Sequence, residues 1–322
     1  MTILHIGFRK CASTAIQRRL LDTAAEMEAR HSLAYLPFEK RAGRIQFQDD
    51  LAAQQLSAAS LRFIGRVDQA LARGLTPIVS NEMFEGLAPP SIARLKAVLP
   101  SVSRVVAVIR DPRALIPSIY GFRTQRGANV RDFDQFYAQL QRRDPMRGRF
   151  FDILEPWAEA FGWDAVSVHF MGAGSPDIVR DVMADLIAAP GGDLALGPPA
   201  RVRANLTLGW RGIEVLRDAF AILGAARDED AILALRKRVI RLAPDKVAAL
   251  GEKGLYLSAA QIDELTSVFV AQAHRLHQAK GREVVPAQAL AAPAPSARSV
   301  LPSIEQMRPD EIGTVRETLG LA

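Results

Sequence analysis

The chain has 322 residues and carries 41 Lys and Arg against 35 Asp and Glu, a formal net charge of +6. Apolar residues make up 49% and charged residues 24%, globular values that exclude a wholly disordered chain, and no run approaches the roughly 18 uncharged apolar residues of a membrane-spanning helix. A lone cysteine, Cys11, excludes an intrachain disulfide framework and a multi-cysteine zinc or iron–sulfur site. The N-terminal residues lack the basic stretch, apolar core and small-residue cleavage site of a secretory signal, so the expected location is the cytoplasm.

In chain order, four short apolar runs read as strands: Thr2–Phe8, Thr76–Ser80, Arg104–Ile109 and Ala165–Phe170. They are continuous rather than alternating in hydrophobicity, which suits parallel strands buried on both faces. Helical spacing fills the gaps at Thr14–Arg30, Ser60–Ala72, Ser91–Leu99, Leu115–Phe122 and Phe151–Phe161, while 35–57 reads as a loop and a helix start. Beyond about residue 175 the pattern is helical only, at Asp177–Ala188, Leu208–Leu223, Asp230–Leu242 and Ser258–Gln278. The expected class is α/β: a P-loop-like central parallel sheet flanked by helices (about 2–175), with a helical C-terminal half (about 176–283), as one domain. Residues 284–322 read as a Pro/Ala-rich linker with little to bury, ending in a short helix over Ser303–Leu319.

The basic excess is Arg-rich, 34 Arg against 7 Lys. Arg offers oxyanions a fixed fork of donors, so this balance fits an anionic small substrate, an acidic membrane surface or nucleic acid. The Arg residues are scattered, without a run of five basic residues, and that argues against nucleic acid.

The first strand runs into Gly7-Phe8-Arg9-Lys10-Cys11-Ala12-Ser13-Thr14 and then a helix. A strand, tight loop and helix N-terminus make an anion cradle of free N–H groups at the positive end of the helix dipole. Aligned on Gly7 with the NTPase loop G-x-x-x-x-G-K-[ST], Ala12 replaces the second Gly, Ser13 the Lys, and the lysine stands upstream at Lys10. The positive charge in the turn suits a 5′-phosphate better than a third phosphate. A generic βα turn with exposed basic residues is the alternative.

These residues resemble the sulfotransferases that use 3′-phosphoadenosine 5′-phosphosulfate (PAPS), whose loop reads K-T-G-T-T or R-K-G-G-T. The resemblance implies that Arg9, Lys10, Cys11, Ala12, Ser13 and Thr14 bind the 5′ side of the donor. Cys11 and Ala12 depart from the commoner Thr and Gly but keep the small size that lets phosphate approach the backbone.

A second apolar strand ends in Arg110-Asp111-Pro112, with Ser118 eight residues after Arg110 on the following helix. Strand-end Arg and helix Ser can together hold a dianion; a capped helix with Arg110 in a surface ion pair is the alternative. The resemblance is closest here, since sulfotransferases hold the 3′-phosphate with R-D-P-x-x-x-x-x-S. It covers 2–175 and, more faintly, the helical half, and the carbohydrate-directed bacterial members are the favoured subgroup.

In-line sulfuryl transfer needs a base for the acceptor and a cation at the leaving oxygen. Lys10 is the candidate cation. Glu82, directly after the strand 76–80, is the candidate base, as in carbohydrate-directed members; a carboxylate stabilised by a helix start is the alternative. His169 is the rival base, and His5 reads as a packing residue within the sheet. Arg203, in Arg201-Val202-Arg203-Ala204-Asn205-Leu206-Thr207, resembles a nucleotide-capping R-x-N-x-S segment, though an N-cap by Asn205 or Thr207 accounts for it as well. Tyr137, Arg142, Arg143 and Arg147 lie where members place acceptor-binding elements, or form a solvated helix face. The expected function is thus a PAPS-dependent sulfotransferase acting on a carbohydrate or small-molecule hydroxyl or amine, with no metal and the bisphosphate PAP as product. A homo-oligomer is open. A nucleoside or small-molecule kinase and a non-catalytic nucleotide-binding module are the alternatives.

Overall fold

The apolar runs of the first half become the strands of one sheet. The structure is a computed structural model that describes residues 1–38, 41–144, 146, 148–172, 177–187, 208–242, 246–247, 250, 256–290 and 302–321. Strands β1 (Thr2–His5), β2 (Leu33–Tyr35), β3 (Thr76–Ser80), β4 (Val102–Arg110) and β5 (Val166–Met171) pair in the order β2-β3-β1-β4-β5, every pair parallel. β1 is buried at all its residues and β4 from Val105 to Ile109, as strands covered on both faces must be. The class is α/β, a parallel sheet flanked by helices.

Helices α1 (Ser13–Asp22) and α2 (Ala24–His31) follow β1; α3 (Arg41–Ala53) and α4 (Ala58–Ala72) follow β2; α5 (Pro89–Val98) precedes β4. After β4 come α6 (Pro112–Gln125), α7 (Phe133–Arg143) and α8 (Phe150–Phe161), and after β5 comes α9 (Ile178–Ile187). Next are α10 (Trp210–Ala225), α11 (Glu229–Ile240), α12 (Ala259–Lys280), α13 (Ala287–Leu290) and α14 (Pro309–Leu319). α8 packs on β4 and α5 on α8, while α9 packs on β5 and α1 on α9. Among the described residues no helix is long and apolar enough to cross a membrane.

The chain divides into two compact units, each built from separate stretches of sequence. The first comprises Met1–Asp111, Arg149–Val202 and Phe269–Ala292 and holds the sheet; the second comprises Pro112–Gly148, Arg203–Val268 and Pro293–Ala322. The second unit has its own centre. The Tyr120 ring lies 5.3 Å from Phe133 and 5.0 Å from Tyr256, its hydroxyl donates to Glu214 Oε1 at 3.0 Å, and Arg217 Nε donates to Glu214 Oε2 at 2.7 Å. A carboxylate that is 1% exposed is thus satisfied on both oxygens.

Several elements differ from the sequence expectations. β2 is a strand of three residues, Leu-Ala-Tyr, where a loop was expected from Tyr35 on. The helix expected over 14–30 is two, broken at Thr23, whose hydroxyl turns back to the Arg19 carbonyl at 2.8 Å. The tail buries more than its composition suggests: Val285 and Ala289 are buried in the first unit, Met307, Val315 and Leu319 in the second. α14 has Pro309 in its first turn, and the Glu311 carboxylate accepts from the Arg308 N–H at 2.9 Å, so a short apolar stripe is enough to order it.

Candidate functional site

β1 leads directly into the site. Phe8 N–H donates to the Val108 carbonyl at 3.1 Å and Val108 N–H to the Gly7 carbonyl at 2.8 Å, so the chain stays zipped to β4 until it turns. In the sheet order, β1 continues to one side and β4 to the other. Their carboxyl ends flank the point at which the connections diverge, the place where open α/β sheets bind ligands.

The loop backbone is unusual. Gly7 has φ +99°, and a Cβ there would stand 2.9 Å from Glu82 Cα and 3.1 Å from the Glu82 carbonyl oxygen. Lys10 and Ala12 also have positive φ, 64° and 60°, without being glycine. Such residues cost on the order of 1–2 kcal/mol each and cluster at ligand-binding loops. Ala12 is the N-cap of α1 and supplies no side-chain cap; its carbonyl accepts from Ala15 and Ile16, at 2.9 and 3.0 Å. The N–H groups of Ser13 and Thr14 therefore precede the first intrahelical bond, at the positive end of the helix.

The 3₁₀ helix Glu82–Gly86, just after β3, braces this loop. Asn81 caps it, its Oδ1 accepting from Met83 N–H at 3.1 Å, while Asn81 N–H donates to the His5 carbonyl at 3.0 Å. Ser13 Oγ donates to Glu82 Oε2 at 2.6 Å. Glu85, 5% exposed, accepts from the Arg9 N–H at 3.0 Å and forms an ion pair with Arg9 Nε. From β4, Arg110 Nη1 donates to the Lys10 carbonyl at 3.3 Å. Glu85 carries no signal in the sequence beyond its place three residues after Glu82.

The structure thus brings together Arg9, Lys10, Cys11, Ala12, Ser13, Thr14, Glu82 and Arg110. Cys11 is fully buried and Thr14 exposed. Ser118 is half-buried on α6, in the second unit. Arg203 and Arg147 lie outside the described residues. Tyr137 is buried in the second unit and its hydroxyl donates to Glu264 Oε2 at 2.9 Å; Arg142 and Arg143 are exposed at the end of α7.

Both histidines near the sheet are engaged. His5 is fully buried, its Nδ1 2.8 Å from Ser80 Oγ, which also accepts from Gln17 Nε2 at 3.1 Å. Burial, with a smaller push from His169, lowers the His5 pKa to about 4, so the ring is neutral at neutral pH. His169 Nε2 lies 2.9 Å from Asp185 Oδ2, and Arg104 pairs with the same carboxylate. Burial pushes the Asp185 carboxyl up, but His169, Arg104 and Ser167 outweigh it and hold it below the usual carboxylate range.

No family model and no curated protein matches the chain. Among solved structures, the chain is similar to a sulfotransferase from Alicyclobacillus acidocaldarius, with 13% identity and a TM-score of 0.47 over 87% of this chain and 96% of that one. At that identity and score the likeness carries no functional weight.

Proposed function

We propose that this chain is an enzyme, a sulfotransferase that moves a sulfuryl group from PAPS to a hydroxyl or amine of a carbohydrate or other small molecule. The observation that supports the reading most is the meeting of the basic loop 9–14, Glu82 and Arg110 at the carboxyl ends of β1, β3 and β4. The acceptor oxygen or nitrogen attacks sulfur in line, the bond from sulfur to the bridging phosphate oxygen breaks, and Glu82 takes the acceptor proton. Lys10 offsets the charge that grows on the leaving bisphosphate. The loop amides, Ser13 and Thr14 hold the 5′ side, Arg9 anchors that loop through Glu85, and Arg110 meets the 3′-phosphate. The sequence alone assigns Ser118 to the 3′-phosphate and Arg203 to the nucleotide. The mechanism asks for no metal, and we place the enzyme in the cytoplasm.

The test is calorimetric titration of the metal-free protein with 3′,5′-adenosine bisphosphate, with ATP for comparison, in the wild type and in Arg110→Ala. Micromolar binding of the bisphosphate, weaker binding of ATP and loss of about tenfold or more in the variant are expected. Glu82→Gln should keep that binding while transfer to any accepted substrate falls by roughly 10²–10⁴. A preference for Mg·ATP would replace this reading with a kinase, and bisphosphate binding without turnover would leave a binding module.

A further inference from the structure

From the Ser13–Glu82 hydrogen bond we infer that the Ser13 hydroxyl is a latch: it occupies Glu82 while the loop is empty and releases it when an anionic sulfuryl donor arrives. The inference rests on the reading of the loop as the donor site and of Glu82 as the base.

Ser13 is the first residue of α1, 4% exposed, and its Oγ donates to Glu82 Oε2 at 2.6 Å. That length is typical of a hydroxyl donating to an ionised carboxylate, roughly twice as strong as a neutral bond. The Glu82 backbone has little room to move. It lies against Gly7, 2.9 Å from where a Cβ would stand, and its turn is pinned by Glu85 to Arg9 and by the Asn81 cap. The carboxylate and the hydroxyl therefore face each other across two elements that the fold holds close.

The same hydroxyl sits at a helix N-terminus beside the free amides of Ser13 and Thr14, where an anion would lodge. A serine hydroxyl has one proton. A carboxylate and a phosphate or sulfuryl oxygen are both hydrogen-bond acceptors. Ser13 can serve only one of them. When the donor's oxygen accepts the Ser13 hydrogen bond instead, Glu82 Oε2 loses that donor, and it does so next to the arriving sulfuryl centre. With the donor in place the carboxylate then meets the acceptor's proton without Ser13 competing for it, whereas otherwise one of its two oxygens is held by the Ser13 hydroxyl.

A double-mutant cycle on binding of 3′,5′-adenosine bisphosphate, read by calorimetry, tests this. The four proteins are wild type, Ser13→Ala, Glu82→Ala and the double variant. Removing Glu82 relieves repulsion in either background, and only with Ser13 present does it also free the hydroxyl for the ligand. Glu82→Ala should therefore strengthen binding at least about fivefold more with Ser13 present than in the Ser13→Ala background. Ser13→Thr, which keeps a hydroxyl, should restore the larger gain. Glu82→Gln keeps an acceptor oxygen for Ser13 and should give a gain smaller than Glu82→Ala, a comparison that stands even if the double variant does not fold. Equal gains in both backgrounds would sink the latch and leave the donor site standing. No bisphosphate binding by the wild type would take down the donor site and the latch together.

Discussion

At Gly7 a hydrogen is all that fits. The residue has φ +99°, and the nearest obstacle to a Cβ is backbone, Glu82 Cα at 2.9 Å, which cannot swing away as a side-chain tip can. Gly74 is a useful contrast: its φ is +75°, with nothing within 4 Å of an added Cβ. Gly74→Ala should cost about 1 kcal/mol, the left-handed penalty alone, whereas Gly7→Ala should cost about 2–3 kcal/mol and also weaken bisphosphate binding. Denaturant unfolding and calorimetry measure the two effects; equal costs at both positions would mean that the Glu82 backbone gives way. At this scale much of the site is legible in the sequence. Lys10, Ser13, Glu82 and Arg110 each stand where an apolar strand ends or a helix begins, and charged or hydroxyl residues there point to ligands. Glu85 is not legible, because its partner Arg9 is 76 residues away and a carboxylate in a turn reads as solvent-facing.

The element that organises the site is the 3₁₀ helix Glu82–Gly86. One short turn carries two carboxylates, one toward Ser13 and one toward Arg9, so the β3 connection clamps the β1–α1 loop. Glu85→Ala removes the acceptor of both the Arg9 N–H and its guanidinium. It should lower stability by about 2 kcal/mol and weaken bisphosphate binding roughly tenfold, because a loop with positive φ at Lys10 and Ala12 then has less to hold its shape. Unchanged affinity in a folded variant would show that α1 and β4 hold the loop alone. The elements are unevenly legible in the sequence for related reasons. β3 matches its expected bounds, Thr76–Ser80, since a central parallel strand is a bare apolar run between punctuation. β2 leaves no mark because three residues at a sheet edge carry no periodicity, and the α1–α2 break leaves none because the apolar spacing runs through Thr23 while the helix does not.

Across the whole molecule, the two units respond to acid in opposite senses. In the first, burial lowers His5 from an ordinary 6.5 to about 4. Between those values the unfolded chain binds a proton that the folded chain refuses, so stability falls as the pH drops through that window, by on the order of 3 kcal/mol in all. Asp185, held below the carboxylate range by His169, Arg104 and Ser167 against the burial that raises it, loses further stability at lower pH. The second unit holds the reverse case. Burial raises the Glu214 carboxyl more than Arg217 and the Tyr120 hydroxyl lower it. The folded unit then takes up a proton before the unfolded chain does, and acidification from neutral pH toward the ordinary carboxylate value adds stability there. Hydrogen exchange at pH 7 and pH 5, corrected for the intrinsic rate, should show protection falling in β1, β5 and α9 while α6 and α10 hold or gain. His5→Gln should flatten the response of the first unit without touching that of the second. If α6 and α10 lose protection first, burial of Glu214 is not what sets the acid response of its unit.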